Sequence, residues 1–232
     1  MSITLYHWPT PNGFKVSIAL EEMGLAYEVV PVDIGIGDQF KPDFLTISPN
    51  NKIPALTDTK GPDGAPISLF ESGAILLYLA EKTGQFMPTG IRERLDALQW
   101  LMFQIGGVGP MLGQNQHFNQ YAPETIPYAQ DRYTREGQRL FGVVDQRLSD
   151  GRDYVCGDVS IVDFALFPWM RNWERQKVDL DPVPYVAAWL TRLAARPGVA
   201  QGLTLLAHQR SNNDAGNKSV LFDITSSKTG KG

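Results

Sequence analysis

Apolar positions in the first 85 residues alternate between short runs and helical faces. Ile3–His7 is a brief β-rich run, followed by Thr10, Pro11, Asn12 and Gly13, types that favour turns and helix starts. Over residues 14–23, Val16, Ile18, Ala19, Leu20 and Met23 fit one face of a helix, and Gly24 supplies the stop. Residues 27–32 form a valine-rich run that reads as a second strand. A polar, Gly-containing loop occupies residues 35–39. Residues 54–57 and 67–70 read as two short strands around a Gly/Pro turn at 61–66. Residues 72–83 carry Ile75, Leu76, Leu79 and Ala80 on one side of a helix that ends at Gly84. The order is βαβ, then ββα. A right-handed crossover makes the first two strands parallel. The connection between the last two is too short for a crossover, so they pair antiparallel.

From residue 91 onward the pattern is helical, with no strand signal. Residues 91–111 place Leu95, Leu98, Leu101, Met102 and Ile105 at helical spacing. Residues 123–148 predict a second long helix, with Pro127 near its start. Ser160-Ile161-Val162-Asp163 precedes an apolar run and resembles a capping box with Asp in place of Glu. Residues 184–196 predict another helix, stopped by Pro197, and 199–209 a last short one. The chain thus reads as an α/β domain over 1–84, an all-α domain over 91–210, and a tail at 211–232. That tail is rich in Ser, Asn, Lys and Gly, has one apolar patch at 220–224, and is expected to be flexible.

Charge and composition narrow the function. The 232 residues hold 21 Lys and Arg against 25 Asp and Glu, with no basic stripe, which excludes nucleic-acid binding as the main activity. No apolar run approaches the ~20 residues of a membrane span. Asn12, Gly13 and Lys15 interrupt any leader-like N-terminus, so a cytoplasmic protein is expected. One cysteine allows neither an internal disulfide nor a CxxC pair. That cysteine, Cys156, reads as a small buried apolar residue. His7, His117 and His208 have no ligand spacing, so no metal is expected. Tyr6, Trp169, Trp173 and Trp189 read as core, and the pairs Glu21-Glu22 and Glu93/Asp96 as solvated helix faces.

Three places carry candidate chemistry. A helix start at Thr10 and Asn12 offers unpaired N–H groups, a positive dipole end, a hydroxyl and an amide, which suit a thiolate or carboxylate; Asn12 serves equally as a plain N-cap. At Ser48-Pro49-Asn50-Asn51-Lys52-Ile53-Pro54, a cis bond before Pro54 would turn the Ile53 backbone outward to pair with an extended peptide; a plain turn fits as well. At Phe70-Glu71-Ser72-Gly73 a helix starts beside a carboxylate. Ser72 there suits an anion and Glu71 an ammonium, as on a γ-glutamyl head, although Ser72 is also an ordinary cap.

In this order, on βαβ-ββα followed by helices, these segments resemble the cytosolic glutathione transferases. The likeness is greatest to their bacterial nu class of disulfide-bond reductases, which is related to a fungal nitrogen-regulator branch. It covers residues 3–209 and is carried by Thr10-Pro11-Asn12-Gly13, Ile47 to Ala55, Leu69 to Leu79, and Gly106-Gly107-Val108-Gly109-Pro110-Met111. The resemblance implies a thioredoxin-like N-terminal domain and a homodimer. It also implies glutathione as ligand, as two molecules or one glutathione disulfide in the cleft between domains. Ile53 would hold the cysteine of glutathione beside a cis Pro54, and Glu71 and Ser72 its γ-glutamyl end. Lys52, Gln39 and Arg132 would reach its other polar groups, and Thr10 and Asn12 would face the sulfur. Trp8, Phe118 and Tyr121 would line the cleft.

The turn at residues 10–13 lacks the Ser or Cys that many relatives use, so the reactive sulfur would come from glutathione. A free thiol is only about 3% ionised at pH 7. Half ionisation needs about 1.5 pKa units, or roughly 2 kcal/mol. A hydrogen bond to the charged form supplies about 1.5–3 kcal/mol, and a helix end about 0.3–1. Thr10 or Asn12 with the helix end is therefore sufficient. The implied activity is glutathione-dependent disulfide reduction. Glutathione conjugation, peroxide reduction and a non-catalytic glutathione-binding regulator are the competing readings.

Overall fold

The computed structural model describes residues 1–211; the tail from 212 onward, with its patch at 220–224, lies outside the described residues. Strand β1 (Ile3–His7) alternates buried and half-buried positions, as a strand with one face on the core must. Helix α1 (Pro11–Glu22) follows, with Pro11 in its first turn, where the missing N–H is harmless. It is capped by Thr10, whose Oγ1 accepts the Gly13 N–H at 3.2 Å. Strand β2 (Tyr27–Pro31) pairs parallel to β1, with Ile3 opposite Tyr27. Strands β3 (Ala55–Asp58) and β4 (Ile67–Phe70) form an antiparallel hairpin, and β3 runs antiparallel to β1. The sheet order is β2-β1-β3-β4.

One short helix has no counterpart in the sequence reading. Helix α2 (Pro42–Ile47) fills the connection before β3 and buries a single residue, Phe44, against Tyr6. Six residues with one buried position show no periodicity. Helix α3 (Ser72–Thr83) has the expected bounds and closes on Gly84 at φ 67°.

Helix α4 (Ile91–Phe103) does not stop at 111. It passes through a π turn at Gln104–Val108 into α5 (Gly109–Gln116), then through a second π turn at His117–Tyr121. The extra residue of each π turn is inserted without ending the helix, and such turns concentrate at functional sites. Helix α6 (Pro127–Leu148) starts at Pro127, four residues later than expected, with proline in its first turn. Helix α7 (Ile161–Met170) is buried along its whole length. Its capping box is present: the Ser160 Oγ accepts from Val162 N–H at 3.3 Å, and the Asp163 carboxylate accepts from Ser160 N–H at 2.9 Å. Helix α8 (Pro184–Ala194) precedes α9 (Pro197–Thr204) and α10 (Ala207–Ser211). The single helix expected over 199–209 is thus two, broken where Leu206 takes a φ of 54°.

One continuous apolar core joins the sheet layer to the helices, and α1 sits at its centre, packed on α3, α7 and α9. The contact with α9 is close: a Cβ on Gly202 would stand 2.7 Å from the Ile18 Cα. The Ser17 hydroxyl donates to the Gly202 carbonyl at 2.8 Å across the same seam. The supposedly solvated acidic faces are mostly occupied. Glu22 is 6% exposed and grips the Arg196 guanidinium, and Glu21 accepts the Tyr27 hydroxyl at 2.6 Å. Asp96 pairs with Arg147, which leaves Glu93 in solvent. Trp169 and Trp189 are buried on helices, whereas Trp173 is half-buried in the turn after α7. Cys156 is half-buried, and burial pushes its thiol up to about 11.

Candidate active site

A cleft of about 610 Å³ opens between the C-terminal side of the sheet layer and the helices, within the roughly 300–1,000 Å³ usual for small-molecule sites. Thr10, Asn12, Gln39, Lys52, Ile53, Glu71 and Ser72 all line it. From the helical side come Gly109, Pro110, Tyr121 and Trp169, and Trp8 closes the floor. A smaller pocket of about 250 Å³ shares Asn12, Lys52, Ile53, Glu71 and Ser72 with it. Arg132 does not line the cleft; it is exposed on α6, with its charge near Glu136. Phe118 also lies outside, stacked on Tyr133 with ring centroids 5.5 Å apart.

The local geometry assigns donors to the sulfur end. Thr10 spends a lone pair of its hydroxyl on Gly13, which leaves the O–H free to donate. Asn12 is not the cap. It stands in the first turn of α1, and its Oδ1 accepts the indole N–H of Trp169 at 3.0 Å. An indole N–H only donates, so the amide oxygen must face Trp169 and the NH₂ is left for another acceptor. The peptide bond between Ile53 and Pro54 is cis, and Ile53 stands just before β3, outside the ladders. The buried Gln39 donates to the Ile34 carbonyl at 3.4 Å, and its Oε1 has no partner among the described residues.

The other end is built at the start of α3. Glu71 takes a φ of 71° and a ψ of 113°, a backbone state costing about 1–3 kcal/mol in a residue with a side chain. Ser72 is the first helical residue and is buried, so its hydroxyl and the N-terminal N–H groups make an anion-favouring pocket with a carboxylate beside it.

Lys15 was missed by the sequence reading. It lines the cleft and is 1% exposed. Its Nζ donates to the Gln104 Oε1 at 2.6 Å and to the Ser72 Oγ at 3.3 Å. Burial lowers its pKa to about 7, and the charge of Glu71 works against that. The available signal was its register: Lys15 shares a helix face with Ile18 and Ala19, both fully buried. Trp169 was read as core alone, though it also fixes Asn12. His7 is fully buried, and desolvation holds its pKa at about 4, so it is neutral near pH 7. No cluster of potential metal ligands occurs among the described residues. No described helix is long and apolar enough to cross a membrane.

Comparison with known proteins agrees with this geometry. The family model for the glutathione S-transferase N-terminal domain matches residues 1–81, and the one for the C-terminal domain matches residues 123–197. The disulfide-bond oxidoreductase YfcG of Escherichia coli K12 is 52% identical over 214 residues, covering 91% of this chain and all of that protein. A glutathione transferase from Pseudomonas putida, solved with one glutathione disulfide per subunit, superposes with a TM-score of 0.85 at 47% identity, covering 88% of this chain and 91% of the other. One from Burkholderia graminis, with two glutathione molecules per subunit, gives 0.83 at 48% identity and covers 87% of each. In sequence and in fold the chain belongs to the glutathione S-transferase family.

Proposed function

We propose that this protein is a glutathione-dependent disulfide-bond reductase. The observation that carries the reading is the pair of donors at the start of α1, Thr10 O–H and Asn12 NH₂, in a cleft that contains no sulfur of its own. In the net reaction two glutathione thiols and one substrate disulfide become glutathione disulfide and two substrate thiols, each thiol proton passing to a departing thiolate. The chain's part is to hold and orient. Thr10 and Asn12 donate to the sulfur and favour its thiolate form, with the dipole of α1 behind them. Ile53 offers its backbone to the cysteinyl unit. Glu71 and Ser72 take the ammonium and carboxylate of the γ-glutamyl head. Gln39 and Lys52 meet the remaining polar groups. Arg132, exposed on α6 outside the cleft of one chain, keeps its role toward glutathione in this reading if it acts across the proposed dimer. The cleft's size and the two-glutathione and glutathione-disulfide complexes of the similar transferases support a site for two glutathione units.

We divide the chain into a glutathione-binding domain over 1–84 and a helical domain over 91–210. In support, the strands end at Phe70 and Gly84 closes α3. A homodimer is part of this reading, supported by the apolar stripe on α4, where Ile91, Leu95 and Met102 are each more than half exposed. A glutathione-rich, reducing compartment, the cytoplasm, suits the chemistry.

The deciding experiment is glutathione-dependent reduction of a small model disulfide, coupled to glutathione reductase, with chloronitrobenzene conjugation measured alongside. Disulfide turnover well above conjugation, lost in the Thr10→Ala/Asn12→Ala double variant, is expected. Conjugation without disulfide turnover would make the protein a conjugating transferase. Binding without either reaction would make it a regulator.

A further inference from the structure

Lys15 is a buried amine with no ion-pair partner among the described residues. Its amine is satisfied by two neutral oxygens, the Gln104 Oε1 at 2.6 Å and the Ser72 Oγ at 3.3 Å, and it makes no ion pair among the described residues. Taking a charge out of water without a partner is costly, so such an ammonium is stabilised when an anion arrives. It borders the cleft at the N-terminus of α3, the anion-favouring end. Its contact with Ser72 uses an acceptor lone pair of that hydroxyl, which turns the O–H outward as a donor. Gln104 stands at the first π turn and is wholly buried, and its Nε2 has no partner among the described residues. Gln104 does not itself line the cleft; its buried amide oxygen holds the amine of Lys15, which does.

We propose that Lys15 is the cation that receives the α-carboxylate of a γ-glutamyl head, beside and through Ser72. This rests on the glutathione reading above. The charged groups around Lys15 are few. Glu71 at the start of α3 is the carboxylate whose field reaches it. Helix α9 carries no ionisable side chain, and the one on α7, Asp163, is held by Ser160, Val155 and Trp189. On β1, His7 packs against Phe14 and is neutral near pH 7. Glu22, two turns along α1, is engaged by Arg196. With its pKa near 7 in the free protein, Lys15 is largely uncharged at pH 7.5, and an arriving carboxylate raises it. Binding therefore takes up a proton, and affinity falls as pH rises through 7 to 8.

The test is titration calorimetry at pH 7.5 in two buffers of different ionisation enthalpy, with S-methylglutathione as ligand because it carries the head and no ionisable thiol. Net proton uptake is expected, shrinking toward zero at pH 6. An analogue with 4-aminobutyrate in place of γ-glutamate, lacking that carboxylate, should bind without uptake. Lys15→Arg should keep affinity and lose the uptake. Lys15→Met should lose both, with affinity at pH 6.5 down at least about tenfold. Binding of S-methylglutathione by the unaltered protein without uptake, or equal uptake with the decarboxylated analogue, overturns the proposal and leaves the glutathione site standing. Failure to bind S-methylglutathione at all overturns both.

Discussion

Single side chains set the polarity of the sulfur end. Asn12 alone does not determine which end of its amide faces the cleft; the Trp169 indole decides it from the opposite half of the molecule. Trp169→Phe keeps the ring and deletes the donor. We predict a fall in disulfide turnover of about tenfold, the size of one hydrogen bond, with the KM for glutathione little changed. A raised thiol pKa, followed by thiolate absorbance of bound glutathione, should accompany it. An unchanged pKa with lost turnover would mean that Trp169 acts only by packing. Thr10, Asn12 and Ser72 were legible because caps and anion sites use a small set of residue types at fixed places on a helix. The role of Trp169 was not, because its partner lies 157 residues away. Lys15 was hidden for a similar reason: a lysine on an apolar face acquires meaning only when Gln104 and Ser72 are brought to it.

At the scale of elements, the buried helix α7 depends on its cap. The Asp163 carboxylate accepts from Ser160 N–H and Oγ–H, Val155 N–H and the Trp189 indole. Removing it leaves buried donors unpaired at the start of a helix with no solvent to repair them. Asp163→Ala should cost at least about 1–3 kcal/mol, the penalty for leaving a buried donor unpaired. Denaturant titration should show this as a lower midpoint with unchanged slope; a loss under 1 kcal/mol would mean that water replaces the carboxylate. This cap was readable because its spacing is local. So were α3 and the pairing of the strands, which follow from loop length and handedness. The π turns at Gln104–Val108 and His117–Tyr121 were not, since the apolar spacing over 91–111 fits a continuous α-helix and carries no mark of an inserted residue. Helix α2 was too short to leave a period.

At the scale of the molecule, α1 belongs to both halves: it opens the cleft at one end, seats α9 along its side and holds Arg196 through Glu22 at the other. The helical half therefore supports the site directly as well as roofing it. The apolar stripe of α4 remains uncovered in one chain. Leu95→Glu with Met102→Glu should convert a dimer seen by light scattering into a folded monomer, whereas an unchanged dimer would place the interface elsewhere. One further consequence follows from where the sulfur is. The sole cysteine, Cys156, is half-buried, holds its proton tightly and does not line the cleft. An enzyme with a resident nucleophilic thiol is disabled when peroxide carries that sulfur to the sulfinic or sulfonic state. Here the vulnerable atom arrives with each ligand and leaves with it. An over-oxidised sulfur is therefore exchanged together with its ligand rather than repaired in place.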